Sequence, residues 1–274
     1  MCWASDSLGR NAAKRHQEYI AEISFGFQTD TLDAEGEIIA TGDASHVHLE
    51  NLRAALDKFR GPISQIPPLY SAIKQDGRKL YELAREGVTD VEIAAREVTI
   101  SRLTVSKFTP QNTLAPARAM LHIECSGGTY IRSLVRDIGQ ALNCPATMSF
   151  LVRTRNGAFS IDEAATIEEI MANPQMAMTP MLEVLSWCAG KIAVDDECVR
   201  ALSQGRVFPS ENLELLAECN EDAHAIKARR TKMFHLGIFA DKVLFRSTNG
   251  KLAALAVKSG DGYKAEKVFH LDEA

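Results

Sequence analysis

The chain has 274 residues and a net charge of −5, with 46% hydrophobic and 24% charged residues, which is the composition of an ordinary globular protein. This length is enough for one large domain and one small domain. No apolar run approaches the roughly 20 residues that span a bilayer and no signal peptide opens the chain, so we expect a cytoplasmic protein without a membrane partner.

The first part of the chain predicts two strands and an amphipathic helix. Polar and apolar residues alternate along Glu18–Phe27, which indicates a strand, and a turn-rich stretch then leads to a second strand at Ile38–Ile39. His46–Phe59 carries its leucines and Phe59 on one face, as an amphipathic helix does. Pro67 and Pro68 then interrupt regular structure, because proline fixes the backbone and lacks a donor.

The remaining pattern predicts an α+β fold with a mixed, largely antiparallel sheet flanked by helices, since no βαβ rhythm occurs. Gly127-Gly128 marks a tight turn, and Thr129 is the predicted N-cap of a helix that ends near Leu142. Asn249-Gly250 predicts a hairpin in a small β-rich domain that begins near Trp187–Ile192. The other predicted strands are Val98–Phe108, Ala119–Cys125, Leu151–Ser160, Phe234–Phe239, Lys242–Arg246, Leu252–Val257 and Lys267–Leu271, and the other helices are Lys79–Arg85, Ile161–Met171 and Asp195–Leu202.

Charge and cysteine content bound the partners and cofactors. Gly61–Asn156 holds 12 Lys and Arg against 8 Asp and Glu, a net charge of +4, while the rest carries −9. A basic middle of this kind suits a polyanion, although ordinary fluctuation would also explain it. The six cysteines form no CxxC pair and no zinc spacing, so we expect small buried hydrophobes, no metal site and no disulfide framework.

A basic segment with interleaved tyrosines follows the two prolines, over Ile66–Gly87. Lys74, Arg78 and Lys79 suit contacts with phosphates, and Tyr70 offers a ring face on which an extruded base stacks. The alternative is a proline-stiffened loop followed by a solvated helix. From this segment alone the alternative is favoured.

A second segment, Cys125–Gly139, runs from a strand through a Gly-Gly turn into a helix. Tyr130 and Arg132 are expected on the first turn, where exposed N–H groups favour anions and Arg132 can orient a carboxylate or phosphate. The alternative is a structural tyrosine and a surface pair of Arg132 with Asp137. The junction lacks GxGxxG and GxxxxGK[ST], so no nucleotide cofactor is expected.

A third segment is the strand candidate FLVRTRNGAF, Phe150–Phe159. Arg153 and Arg155 share a parity and are therefore expected to point to one face of the strand. Leu151 could form one wall of an apolar slot. The alternative is a half-buried strand with two surface arginines.

Four segments in order and spacing resemble the TruB family of tRNA pseudouridine synthases. These are FGFQTDTLDAEG (Phe25–Gly36), FRGPISQIPPLYSAIKQDGRKLYELAREG (Phe59–Gly87), Cys125–Gly139 and Phe150–Phe159. The resemblance is dense over Glu18–Ala172. It continues loosely into IAVDDECVRALSQGRVF, so it implies an unmatched stretch 1–17, a pseudouridine synthase core over 18–190 and a PUA-like RNA-binding domain over 191–274.

The resemblance implies a tRNA uridine isomerase without cofactors that acts on uridine 55 of the T-loop by flipping the base out. It implies that Arg132 pairs with the catalytic aspartate and that Tyr70, Tyr130 and Leu151 line the base site. Lys74, Arg78, Lys79 and Arg153 are the expected RNA contacts. The expected partner is the T-arm of tRNA, and we expect a monomer, since no long apolar stripe is left unexplained.

The nucleophile of the resemblance has no match in this sequence. The family's catalytic aspartate lies in a GTLDP-type loop ahead of the strand Glu18–Phe27, and the 274 residues contain no such motif. Asp30 and Asp33 match a different family segment, and Asp6 lacks the flanking residues. We therefore expect an incomplete and inactive chain, the alternatives being a truncated gene or a non-catalytic tRNA-binding and RNA-folding module of the same fold. An unrelated α+β protein that binds no RNA is the third, least favoured hypothesis.

Overall fold

In the computed structural model of the chain, residues 16–88, 90–157, 159–175, 190–209, 242–247 and 252–269 are described. The chain divides into two compact units, Met1–Glu163 and Ala164–Ala274. Among the described residues, no helix has the length and apolar character to cross a membrane.

The first unit is built on an antiparallel sheet. Its strands are β1 (Gln17–Phe25), β2 (Phe27–Thr29), β3 (Ile38–Thr41), β4 (Gly61–Gln65), β5 (Lys74–Gln75), β6 (Arg78–Lys79), β7 (Arg96–Thr109), β8 (Arg118–Cys125), β9 (Ala146–Asn156) and β10 (Phe159–Ser160). Six of them form a sheet in the order β10-β9-β1-β8-β7-β4, and β2-β3 and β5-β6 form two small ribbons. The helices are α1 (Leu49–Leu56), α2 (Leu80–Arg85) and α3 (Ile131–Ala141).

The core lies on one face of this sheet. In β1, the alternation buries Tyr19, Ala21 and Ile23, because successive side chains of a strand point to opposite faces. Leu52 of α1 and Leu134 of α3 belong to the same buried cluster. The two helices therefore cover the apolar face of the sheet, and the start of α3 lies next to the end of the edge strand β4.

Most predicted elements of the first unit are confirmed, with corrections at their ends. Thr129 is not the N-cap of α3: the helix begins one residue later with Tyr130 as N-cap, and the Thr129 hydroxyl instead donates to the carbonyl of Ser126 at 2.8 Å. The predicted helix Ile161–Met171 is a 3-10 turn at Ile161–Glu163 and a separate helix α4 (Ile167–Ala172). The Thr166 hydroxyl accepts from the amide of the first turn of α4 at 3.2 Å, which sets the later start.

In its described residues, the second unit contains α4, a five-stranded mixed sheet and one further, amphipathic helix. Its strands are β11 (Gly190–Val194), β12 (Phe208–Pro209), β13 (Lys242–Ser247), β14 (Leu252–Ser259) and β15 (Gly262–Val268), in the order β11-β13-β14-β15-β12. Helix α5 (Asp196–Ser203) is confirmed, with the Asp195 carboxylate capping it. The last strand ends at Val268, earlier than predicted. The predicted strand Phe234–Phe239 and the Asn249-Gly250 turn lie outside the described residues.

Candidate functional site

The N-terminus of α3 is fixed by the turn that precedes it. Gly128 has a φ of +91°, a conformation that glycine adopts without strain and other residues do not. The chain therefore reverses direction within a few residues of the end of β8 and enters α3. Tyr130 ends up as the N-cap and Arg132 on the first turn, beside the exposed backbone N–H groups that attract anions.

Arg132 joins three separate segments through its guanidinium. Its Nη1 donates to the Thr31 carbonyl at 3.1 Å and to Asp33 Oδ2 at 3.0 Å, and its Nη2 donates to the Tyr70 carbonyl at 2.8 Å. The side chains of Arg132 and Asp33 are 24% and 23% exposed. Such a charge-assisted contact at partial burial is stronger than a surface ion pair.

The alternative pairing of Arg132 with Asp137 is wrong. Asp137 accepts from Arg136, its neighbour in the helix, at 2.8 Å. In an α-helix residues five apart do not share a face, so the carboxylate of Asp137 points away from the Arg132 guanidinium. Arg132 reaches instead across to the β2–β3 loop.

The β2–β3 loop is held in shape by its own aspartates. Asp33 Oδ1 accepts from the Thr31 hydroxyl at 2.7 Å and from the Glu35 amide at 3.2 Å, while Oδ2 faces Arg132. Asp30 Oδ1 accepts from the Thr31 and Glu37 amides at 2.8 and 2.9 Å. Both oxygens of Asp33 are thus engaged, which suits a carboxylate that holds an arginine better than it suits a nucleophile.

Tyr70 lies beside Arg132 in the proline-containing loop between β4 and β5. Its carbonyl accepts from Arg132, and its hydroxyl donates to Asp30 Oδ2 at 3.3 Å. Desolvation and then the Asp30 carboxylate raise the pKa of the Tyr70 hydroxyl, so this group stays neutral near pH 7. The loop therefore presents a neutral aromatic ring next to the arginine.

Leu151 lies in the middle of β9, on the covered face of the sheet. It pairs with Ala21 of β1, and cross-strand partners share a face. Its side chain is 38% exposed, as a wall of an open site would be. Arg153, two residues on, is opposite Tyr19.

Tyr19 is a second aromatic residue on this face, and the sequence interpretation gave it no role. It is 8% exposed, and its hydroxyl donates to Gln17 Oε1 at 3.0 Å. Burial raises the pKa of Tyr19, and Arg153 acts in the opposite direction. The sequence does contain a signal for it, because Tyr19 lies at the same alternating positions of the strand as the apolar Ala21. The pattern therefore predicts a phenol hydroxyl among apolar neighbours.

The expectation that Arg153 and Arg155 share a face is wrong. The β1–β9 register pairs Arg155 with Glu18 but Arg153 with Tyr19, with a shift between them. Such a bulge inserts one residue and breaks the period-two parity. Arg155 accordingly donates to Glu18 at 3.1 Å, while Arg153 stays on the side of Tyr19.

The basic segment forms a hairpin and a short helix. Asp76 and Gly77 have positive φ values of 51° and 83°, as a two-residue hairpin turn requires. Lys74 and Arg78 are exposed on this hairpin, although Arg78 forms an ion pair with Glu86. Lys79 and Arg85 approach the Tyr81 ring centroid to 5.2 and 5.4 Å, and the Tyr81 hydroxyl accepts from Lys79 at 3.1 Å.

Among the described residues, three side chains of types that can bind a metal ion come together at one place, and these are His16, Glu18 and Glu124. His16 Nε2 and Arg155 Nε each lie 3.1 Å from Glu18 Oε1. Arg102 lies 3.3 Å from Glu124 Oε1. Both carboxylates are therefore paired with cationic or hydrogen-bonding groups, and this cluster is best described as a charge network.

Sequence profiles of one protein family match most of the described core. Residues 8–131 match the N-terminal domain of TruB family pseudouridylate synthase. Residues 132–184 match the tRNA pseudouridylate synthase B C-terminal domain. The boundary between the two matches falls inside α3, directly before Arg132.

Curated relatives share the name tRNA pseudouridine synthase B. The protein of Symbiobacterium thermophilum is 44% identical over 173 residues, 63% of this chain and 56% of that protein. The protein of Alkaliphilus oremlandii is 37% identical over 204 residues, 74% of this chain and 66% of that protein. The chain spans about half to two thirds of the length of the curated relatives it matches.

Solved structures with a similar fold come from a ribonucleoprotein and from a protein complex. An H/ACA RNP bound to a substrate RNA containing 2'-deoxyuridine includes a chain with a TM-score of 0.58 and 19% identity, covering 96% of this chain and 69% of that one. A Cbf5-Nop10-Gar1 complex gives the same TM-score at 21% identity and the same coverage. At this identity the likeness establishes the pseudouridine-synthase fold.

Proposed function

The chain belongs to the TruB family of pseudouridylate synthases, and we propose that it takes part in converting the T-loop uridine of tRNA at position 55 into pseudouridine. The observation that carries this proposal is the junction at Arg132. One guanidinium there joins the β2–β3 loop through Asp33 and the proline-containing loop through the Tyr70 carbonyl. Three of the four segments that resemble the family thus meet at one side chain.

The arrangement suits a base that has been flipped out of a folded RNA loop. Tyr70 supplies a ring on which an extruded pyrimidine can stack, and Leu151 and Tyr130 supply walls of the base site. Arg132 supplies a positive charge that holds a carboxylate ionised and oriented. The isomerisation replaces the glycosidic C–N bond with a C–C bond, and the proton lost from that ring carbon is balanced by the proton gained by the freed ring nitrogen. The redox state does not change, so the protein groups bind, orient, assist this proton transfer and provide the nucleophile.

The nucleophile is assigned by family resemblance to an aspartate in a GTLDP-type loop, which residues 1–274 do not contain. Asp33 occupies one donor of Arg132, and its other oxygen is engaged within its own loop. We propose that Asp33 sets the orientation of the Arg132 guanidinium, and that the reacting carboxylate binds beside this guanidinium on the side that Asp33 does not occupy. Residues 1–274 then carry RNA binding and positioning.

RNA is held by phosphate contacts from the basic hairpin, on this proposal. Lys74 and Arg78 are exposed, and Lys79 is held against Tyr81. Their hairpin immediately follows the loop that carries Tyr70. Contacts with phosphates fix the register of an RNA without reading its sequence, which leaves recognition of the target base to the site beside Arg132.

A non-catalytic RNA-binding module of the same fold is the second candidate. It is supported by the engaged oxygens of Asp33 and by the absence of a GTLDP motif in the 274 residues. Both candidates include binding of T-arm RNA. They differ when a GTLDP-bearing segment of a family enzyme is fused ahead of residue 16: gain of pseudouridine formation supports the isomerase, and unchanged binding without turnover supports the module.

A further inference from the structure

The proline-containing loop and helix α3 are joined along a row of three hydrogen bonds. The Tyr130 amide donates to Gln65 Oε1 at 2.8 Å, and Arg132 donates to the Tyr70 carbonyl at 2.8 Å. Arg136 Nη2 donates to the Ile66 carbonyl at 3.1 Å. The start of α3 and the loop that carries Tyr70 are therefore held as one body.

Gln65 is the buried end of this row. It is the last residue of β4, paired with Arg96 of β7, and it is 2% exposed. A backbone amide can only donate, so the atom that faces Tyr130 must be the amide oxygen of Gln65. The other amide atom, Nε2, is buried without a hydrogen-bond partner among the described residues.

The contact replaces a cap that α3 lacks. Tyr130 occupies the N-cap position but provides no side-chain cap, whereas helix starts are commonly fixed by a local Ser, Thr, Asp or Asn. Here an acceptor 65 residues earlier in the chain binds the backbone at that point. The edge strand β4 of the six-stranded sheet thereby sets the position of Tyr130, and of Arg132 two residues later.

We propose that Gln65 is a positioning residue for the base site, acting through the Tyr130 backbone to align Tyr130 and Arg132 with the Tyr70 loop. This inference rests on the proposed function, since it assumes that these residues contact the target uridine. A buried amide left without its acceptor destabilises the local structure. Loss of the Gln65 oxygen therefore shifts the start of α3 while the phosphate-binding hairpin stays unchanged.

Base dependence of RNA binding is the measurement that tests this inference. Two T-arm stem-loops are compared, one with uridine at position 55 and one with an abasic ribose there. The quantity measured is the Kd for the abasic RNA divided by the Kd for the uridine RNA, each determined per folded protein. Gln65→Met is expected to lower this ratio about tenfold, the factor equivalent to removing one interaction of about 1.4 kcal/mol. Its salt dependence should match that of the wild type, because no phosphate-binding residue is changed.

Two conservative variants and a control on the same helix complete the experiment. Gln65→Glu keeps an acceptor oxygen at the same reach, where the helix N-terminus favours negative charge, and should retain the base dependence. Gln65→Asn is too short to reach the Tyr130 amide and should lose it, which keeps the test decisive if Gln65→Met does not fold. Gln140→Met changes an exposed residue of α3 and should have no effect.

The outcomes separate this inference from the proposed function. A Gln65→Met protein with lower thermal stability but an unchanged Kd ratio would show that Gln65 is only structural, and overturns the inference. Equal affinity of the wild type for both RNAs would show that the protein does not bind the base at position 55. This result would contradict both the proposed function and this inference. Loss of the ratio in Gln65→Met and Gln65→Asn but not in Gln65→Glu supports the positioning role.

Discussion

Arg132 of helix α3 and Asp33 of the β2–β3 loop are 99 residues apart in sequence and form a hydrogen-bonded ion pair of 3.0 Å. Both side chains are about three-quarters buried. The pair closes the loop onto the first turn of the helix. It leaves Arg132 Nη2 bound to the Tyr70 carbonyl, so one contact governs the position of two site segments.

Asp33→Asn should destabilise the first unit and weaken binding of T-arm RNA. The substitution keeps the size of the side chain and removes the charge that Arg132 binds. We expect a loss of about 1–3 kcal/mol in the free energy of unfolding, measured by urea denaturation. Asp57→Asn, which removes a carboxylate from an exposed pair with Arg60, is the control and should change stability by less than about 1 kcal/mol. Equal effects of the two changes would contradict a special role of Asp33.

Sequence periodicity predicted most strands of the sheet, but neither its edge strand β4 nor the contacts across it. The alternation in Glu18–Phe27 and the Gly127-Gly128 turn each reflect local backbone preferences, and both are confirmed. The pairing of Arg132 with Asp33 depends on how α3 packs against a loop almost a hundred residues away. Local patterns contain no information about that distance, which is why a neighbour in the same helix, Asp137, was the nearest alternative.

One turn of the first unit has a clear local signal in the sequence, whereas the bulge in β9 has none. Asp76-Gly77 is a strong two-residue hairpin signal, and it forms the turn between β5 and β6. The bulge that separates Arg153 from Arg155 has no such signal in the sequence. It follows from the register that β1 imposes on β9, so parity along a single strand could not predict it.

Alkaline pH should destabilise the protein partly through Cys125. Burial raises the pKa of this thiol from 9.0 to about 11, so the folded state holds its proton more tightly than the unfolded state. The associated stability is fully present below pH 9 and is lost as the pH rises from 9 to about 11. Urea unfolding of wild type and Cys125→Ala at pH 8 and pH 10.5 should show a smaller pH dependence in the variant. An identical decline in both proteins would exclude Cys125 as a contributor.

Binding of T-arm RNA should depend steeply on salt and in part on the basic hairpin. Replacing Lys74 and Arg78 with glutamine removes exposed cations next to the Tyr70 loop. For each phosphate that is no longer neutralised, the slope of log Kd against log salt concentration should fall by about 0.7–0.9. Lys58→Gln changes an exposed lysine outside the basic segment and serves as the matched control. An affinity that does not respond to salt would contradict phosphate-mediated binding.

A polypeptide of residues 1–274 should bind T-arm RNA without forming pseudouridine. It contains no GTLDP-type loop, and the oxygens of Asp33 are engaged by Arg132, Thr31 and Glu35. A base site without a free nucleophile cannot start the covalent step. The measurement is conversion of uridine 55 under single-turnover conditions with protein in excess. Detectable conversion would identify another carboxylate as the nucleophile, and Asp33→Asn would be the first variant to examine.

Tyr70 should be the aromatic platform for the flipped base. Its loop is stiffened by Pro67 and Pro68, and its carbonyl is bound to Arg132, so little ordering is needed when RNA binds. Loss of base stacking is worth roughly 1–3 kcal/mol, so Tyr70→Ala should weaken binding of T-loop RNA about 5- to 150-fold and leave the fold intact. Tyr70→Phe keeps the ring and should retain most of the affinity.

Tyr19 is the second tyrosine that could stack on the flipped base, so a comparison of variants at Tyr19 and Tyr70 tests which ring the base contacts. Tyr19 is buried in the core cluster and pairs across the sheet with Arg153, beside the position of Leu151. Tyr19→Leu and Tyr70→Ala should therefore be compared by Kd per folded molecule, with folding followed by circular dichroism. If Tyr70→Ala binds like the wild type while Tyr19→Leu loses affinity for uridine-containing RNA but not for abasic RNA, the base stacks on Tyr19 and the Tyr70 assignment is wrong. If only Tyr70→Ala loses that discrimination, Tyr19 is a core residue whose hydroxyl is satisfied by Gln17.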